Sequence, residues 1–182
     1  MSKLFTPYSV KGLSLKNRIV MAPMCQYSVE AKDGTPNDWH FVHYVSRAVG
    51  GTGLIIVEMT DVEPDGRITD YDLGLWSDEQ IPAYARIVEE VHKHDAKIGI
   101  QIAHAGRKAT DAKQPVSSSN IPVESDGTWK EPRPLTIDEI NEKMTQLEQI
   151  SEKTFRSDEK PLLVSVRTGA KASMPSMKDT IL

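Results

Sequence analysis

Three short, mostly apolar runs, Ile19–Met21, Leu54–Val57 and Lys97–Ile102, are separated by two stretches with helical periodicity. No other feature of the chain limits its fold as much. Asp38 is a good N-cap for the first helical stretch, which carries Phe41, Val42, Val45 and Val49 at helical spacing. Gly50-Gly51-Thr52-Gly53 stops it. Ser77 or Asp78 opens the second, which runs through His94 with Ile81, Tyr84, Ile87, Val88 and Val91 on one face. Leu54–Val57 is continuously apolar, as a strand covered on both faces should be. Strand, helix, strand, helix, strand at this spacing demands parallel pairing through right-handed crossovers. The expected class is therefore α/β.

The flanking text is less regular. Two short segments within residues 3–18, split by Lys11-Gly12, predict a hairpin. Residues 28–37 and 62–73 read as loops, and residues 103–134 as a long polar loop with four prolines. Thr136-Ile137-Asp138-Glu139 opens a third helix as an approximate capping box, with an end near Lys153. Leu162–Val166, after Pro161, predicts a fourth strand. From Thr168 onward no period is visible.

Composition narrows the function classes. A net charge of −4 without a basic cluster argues against nucleic-acid binding. The single cysteine excludes an internal disulfide framework and fits a reducing compartment. Met1–Phe5 starts no long apolar stretch, so neither a signal peptide nor a membrane span is expected, and a cytoplasmic location is. The 182 residues suffice for a real core but fall short of the ~250 of a complete eightfold barrel.

Chemically useful groups cluster where the apolar runs end. Ala22-Pro23-Met24-Cys25-Gln26-Tyr27-Ser28 follows the first run, and Gln101-Ile102-Ala103-His104-Ala105-Gly106-Arg107 closes the third. Polar side chains at the ends of buried parallel strands are the layout of a barrel active site. Together with Leu4-Phe5-Thr6-Pro7, Leu15–Met21, His43-Tyr44, Arg47-Ala48, Gly53–Glu58, Gly66-Arg67, Trp76-Ser77-Asp78 and Lys108, these segments form an ordered pattern. In that pattern residues 1 to about 140 resemble the old yellow enzyme family of flavin-dependent ene-reductases, in particular its bacterial branch with a cysteine beside the flavin.

The resemblance implies a partial (β/α) TIM barrel, comprising the first three to four βα units. It implies FMN as cofactor, NAD(P)H as reductant and an enone-type small molecule as substrate. Pro23 and Met24 would then contribute backbone contacts along the flavin. Cys25 would sit near its reactive edge and tune its potential, and Tyr27 would reach the substrate. Gln101 would bond the pyrimidine ring, for which an amide suits because it donates and accepts. Met59 stands where the family usually has a small residue against the flavin. The family's substrate-holding histidine pair, its arginine near flavin N1 and its phosphate grip come from later βα units. Weak or lost FMN binding is therefore expected of this sequence.

From about Thr145 the text changes. Gln146-Leu147-Glu148, Lys153-Thr154-Phe155, Pro161–Ala170 and Ser173–Thr180 resemble the N-terminal nucleotide-binding domain of pyruvate phosphate dikinase. Arg167 matches a phosphate-contacting arginine there, whereas Ser176 replaces a glycine of the mobile phosphate-covering loop. The expected organisation is residues 1–144 as a partial FMN-binding barrel and 145–182 as an unrelated dikinase-like tail.

Plainer readings stand beside these. Cys25 alone is an ordinary small buried hydrophobe, and Gln101 an ordinary core amide. His104 and Arg107 satisfy backbone groups in a long loop. The glycines at 50, 51 and 53 stop a helix, since they lack a phosphate-loop pattern and its lysine. His92 and His94 are solvated, and Arg167 is a surface or strand-end residue. No metal site is expected. The function expected is an FMN-dependent NAD(P)H oxidoreductase. The alternatives are a non-catalytic fusion or truncated product, or a nucleotide-phosphate-binding fragment. A half barrel also leaves open sheet edges, which predicts homo-oligomerisation.

Overall fold

The computed structural model describes residues 2–162. It divides into two compact units, Met1–Pro134 and Leu135–Leu182. In the first, an antiparallel hairpin pairs β1 (Tyr8–Val10) with β2 (Leu13–Leu15) around Lys11 and Gly12, both at positive φ, as the sequence predicts. The central sheet is parallel. β3 (Val20–Met21) pairs with β4 (Leu54–Asp61), and β6 (Lys97–Ala103) pairs with β4 on its other side. A short β5 (Leu73–Gly74) joins the C-terminal end of β4 through Thr60 and Asp61. Leu73, expected in a loop, is thus a strand residue with no exposed surface.

Helix α1 (Asp38–Val49) follows β3, and α2 (Ile81–Lys93) follows β4 and β5. The cap of α1 is Asn37, one residue before the expected Asp38. Its side-chain oxygen accepts from Trp39 N at 3.0 Å and His40 N at 3.4 Å. The core joins Ile55, Val57 and Leu73 of the sheet to Tyr44, Ala48, Ile87 and Val91 of the helices. Phe41 and Val45 pack against it, but Val42 and Val49 lie 62% and 63% exposed. These two share a stripe with Trp39 and Ser46, turned away from the sheet-facing stripe of His40, Tyr44 and Ala48. Ile81, at the first position of α2, is likewise half exposed.

Residues 103–134 contain a 3₁₀ turn, Gly106–Lys108, and a small parallel pair, β7 (Val116–Ser117) with β8 (Arg133–Pro134). In the second unit the Thr136 hydroxyl accepts from Glu139 N at 3.2 Å, and the Glu139 carboxylate accepts from Thr136 N at 2.8 Å. This reciprocal cap opens α3 (Ile137–Ser151), which ends at Glu152 in the left-handed region, just before the expected Lys153. Apart from Leu162, the strand expected at Leu162–Val166 lies outside the described residues.

An irregularity in β4 decides which way the side chains at its C-terminal end point. The register of β4 against β6 runs Val57 with Ile100, then Met59 with Gln101, leaving Glu58 as a bulge. Val57 and Glu58 therefore both turn toward the helices, and Met59 faces the opposite side with Gln101.

Candidate active site

Parallel strands deliver their chemistry at their C-terminal ends. Directly after β3, the chain runs through Pro23 and Met24 to Cys25, whose side chain is half-buried. The Met59 backbone and the Tyr27 hydroxyl lie beside the Cys25 thiol, and each favours its ionised form. Met59 in turn lies beside Gln101 across the β4–β6 ladder. Four of the expected residues, Cys25, Tyr27, Met59 and Gln101, thus adjoin one another. Tyr27 and Met24 are 47% and 53% exposed, and Gln101 is exposed as well. Arg167 lies outside the described residues.

Tyr27 adopts φ of +51°, an unfavourable left-handed conformation for a bulky residue. The surroundings hold it there. Ser28 Oγ donates to Gln26 O at 2.9 Å, and Asn37 Nδ2 donates to Ser28 O at 2.6 Å. Val29, fully buried, donates its amide to Tyr71 O at 3.0 Å. The turn brings the Tyr27 ring back to the thiol two residues earlier.

Beneath this surface is a support assigned no role from sequence. The Glu58 carboxylate is 1% exposed; Oε1 accepts from Gln26 N at 2.8 Å and Oε2 from the Tyr44 hydroxyl at 2.7 Å. The Tyr44 oxygen also accepts from Glu58 N at 3.0 Å. One buried carboxylate therefore ties the Cys25 loop to both β4 and α1. A glutamate after an apolar run, and a tyrosine on the inner face of a helix, are the signals that could have found it.

The electrostatics favour a neutral thiol. Burial pushes the Cys25 thiol up, and the negative charges of Asp72 and Glu58 push it further. The Tyr27 hydroxyl is raised by burial and by Cys25 and Asp72. Burial likewise raises Glu58, against the bonds from Gln26 and Tyr44 that favour its ionised form. Below lie two further buried acids, Asp61 and Asp72.

His104 behaves as the plainer reading has it. Gly106 N donates to its Nδ1 at 2.9 Å, which leaves Nε2 to donate to Glu63 at 2.7 Å. Gly50 and Gly51 terminate α1, with Gly51 at φ of +95°. His92 is exposed, and His94 sits 3.7 Å from Glu90. Among the described residues no three His, Cys, Asp or Glu side chains group as metal ligands, and no helix is long and apolar enough to cross a membrane.

By their chemistry these residues are compatible with an isoalloxazine. A flat heteroaromatic ring needs an open, largely apolar floor, and the apolar side chains offered for one are the exposed Met24 and the half-buried Cys25 and Met59. Its imide edge needs a group that both donates and accepts, which the exposed Gln101 amide is.

The sequence matches the NADH:flavin oxidoreductase / NADH oxidase family over residues 3–156. An NADPH dehydrogenase of Listeria monocytogenes serotype 4a is 56% identical over 142 residues, which are 78% of this chain and 41% of that protein. An NADPH dehydrogenase of Bacillus velezensis is 50% identical over 147 residues, 81% of this chain and 43% of that protein. Among solved structures, morphinone reductase superposes with a TM-score of 0.68 at 33% identity, covering 80% of this chain and 43% of that one. The old yellow enzyme homologue from Zymomonas mobilis gives 0.68 at 31% identity, over 81% and 44%. The chain thus spans about two-fifths of the length of the curated relatives it matches. Its α/β architecture is that of a partial barrel of this kind.

Proposed function

Because the chain belongs to the NADH:flavin oxidoreductase / NADH oxidase family, we propose that residues 20–103 form the floor of an FMN site serving NAD(P)H-dependent reduction of an enone-type small molecule. The contiguity of Cys25, Tyr27, Met59 and Gln101 at the ends of parallel strands carries this reading. Bound FMN supplies hydride transfer, which no side chain can. The residues of the chain orient and tune. Gln101 offers its amide to the pyrimidine edge, and the backbone of Pro23 and Met24 runs along the ring. Cys25, kept as a thiol by burial and by Asp72 and Glu58, presents a neutral S–H. Tyr27 retains its phenolic proton and faces the substrate side. The relatives' name, NADPH dehydrogenase, supports the choice of reductant.

This stretch alone should hold FMN weakly, since phosphate in such barrels is gripped by the last βα loops. The test is a flavin titration of the natural chain, Gln101→Ala and Cys25→Ala. Weak binding is expected, loosened about tenfold further in Gln101→Ala by loss of roughly 1.4 kcal/mol of hydrogen bonding. Tight stoichiometric binding at micromolar protein would refute the weak grip. Equal affinity of the natural chain and Gln101→Ala would refute the site.

The open edges favour self-association in a cytoplasmic, reducing setting. β6 has β4 as its sole strand partner among the described residues, and Ile102 on it is 65% exposed. An apolar groove of about 360 Å³ between α2 and β6 adjoins it, lined by Val57, Tyr84, Val88 and Ile100 among others. A concentration-independent monomer in sedimentation would refute this. For residues 145–182 the dikinase-like reading is a separate proposal. Thermal stabilisation by Mg-ATP that is abolished in Arg167→Gln would support it.

A further inference from the structure

The fold buries two carboxyl groups, Asp61 and Asp72, of which the flavin reading uses only the charge of Asp72, through Cys25. Asp61, the last residue of β4, has no exposed surface, and neither of its carboxyl oxygens has a hydrogen-bond partner among the described residues. Asp72, just before β5, is 1% exposed; one oxygen accepts from Thr69 N at 2.9 Å and the other has no partner. A buried, unpaired carboxylate is among the most costly groups a protein can hold, and the usual escape is to keep a proton.

The obvious neutralising cation is committed elsewhere. Arg67 is 8% exposed, and it donates to Pro64 O, Lys32 O, Asp70 O and the Asp70 carboxylate at 2.8–3.0 Å. Those bonds fold residues 62–74 into a strap. Val29 N to Tyr71 O, Gly74 N to Gly34 O and Thr110 N to Ile68 O fasten it to its neighbours at 3.0, 2.8 and 2.8 Å. Asp72 belongs to the strap, and Asp61 stands at its root, paired with Gly74 in the β4–β5 ladder.

We propose that Asp61 and Asp72 form an acid-tightened latch: the strap stays shut while the pair holds a proton, and opens with release of that proton as pH rises toward neutrality. The groups acting on the pair are Arg67 from the strap, Tyr84 from α2, Glu58 from β4, Cys25 and Tyr27 from the loop after β3, and Asp111 from the loop after β6. The Glu63–His104 pair sits at the strap's far end. Burial and Asp72 raise Asp61 to about 7, and Arg67 opposes the rise without cancelling it. Because Asp72 also acts on Cys25 and Tyr27, the latch is coupled to the thiol surface. The inference stands without the flavin reading.

The test is amide exchange of Val29, Gly74 and Thr110, corrected for its intrinsic pH dependence. An opening that releases one proton should become about tenfold easier per pH unit from pH 5 to 7 and level off above. Ile55 and Val57, inside β4, should exchange far more slowly than these three at every pH, because only unfolding of the whole unit exposes them. Asp61→Asn, which cannot ionise, should give a flat profile; if it fails to fold, Asp72→Asn should blunt the slope instead. A flat profile in the natural chain overturns the proposal. So does a slope that persists in Asp61→Asn, which would place the titrating group elsewhere.

Discussion

Replacing Tyr44 with phenylalanine removes a single oxygen, and the structure sets what that should cost. The ring stays, so no cavity opens around a residue that is 1% exposed. Two partners are stranded. Glu58 Oε2 loses a charge-assisted donor at 2.7 Å, and Glu58 N loses its acceptor at 3.0 Å. Leaving a buried charged acceptor unpaired costs roughly 1.5–3 kcal/mol, and a buried N–H about 1–2. The expected destabilisation is therefore about 2.5–5 kcal/mol, a large share of the ~5–15 kcal/mol of a whole domain. Urea unfolding of the two chains measures it. The sign with pH is also fixed. Losing the hydroxyl raises the folded-state pKa of Glu58 further above its ordinary value. A raised carboxyl contributes stability that is lost as pH rises, so the variant's deficit should be larger at pH 8 than at pH 5. Because Glu58 also holds Gln26 N, alkylation of Cys25 should accelerate in the variant. A deficit below about 1 kcal/mol, with thiol reactivity unchanged, would refute the idea that this carboxylate braces the Cys25 loop.

Other outcomes are expected from features of the same unit. Asp61, raised from 3.8 to about 7, should make global stability fall between pH 4 and 7, by at most about 4 kcal/mol at 1.36 kcal/mol per unit, with no further fall above; melting temperatures across that range check it. A Cβ added in Gly74→Ala would overlap the Trp76 ring, so this variant should lose about 3 kcal/mol or more in the same urea assay. The Arg86–Asp38 pair, 2.7 Å apart, joins side chains that are 58% and 85% exposed. Asp38→Ala should thus change stability by less than about 1 kcal/mol, and less still in high salt.

The parts legible in sequence are those set by local chemistry. Thr136 and Glu139 sit three apart and cap α3 as that spacing requires. The Lys11-Gly12 turn and the parallel order of the central strands arise from short-range pattern. Sequence and structure part company where local rules compete. Asp38 and Asn37 are both capping types, and the backbone lets Asn37 reach two amides. Val42 and Val49 fit a helical period, but the sheet touches only one stripe of α1. Of the site, Cys25, Tyr27, Met59 and Gln101 can be named because they stand at strand ends within a familiar pattern. Glu58 and Asp61 cannot be given tasks, because their importance arises from what lies over them. Burial by residues far away in the chain leaves no trace in the residues beside them.

The extra residue in β4 has an evolutionary corollary. Before Glu58 the odd positions of the strand serve the hydrophobic layer; beyond it the even ones do. Two alternation codes meet at one seam. Deleting that residue would leave a shorter, regular ladder in which Met59 still lies opposite Gln101, so the positions downstream would keep their faces; what would go is the carboxylate that holds Gln26 N and the Tyr44 hydroxyl. The seam can therefore be shortened without upsetting the alternation, but only by giving up the brace between the Cys25 loop and α1, so a one-codon loss there should be less tolerated than the same loss in a surface turn such as Asp126-Gly127.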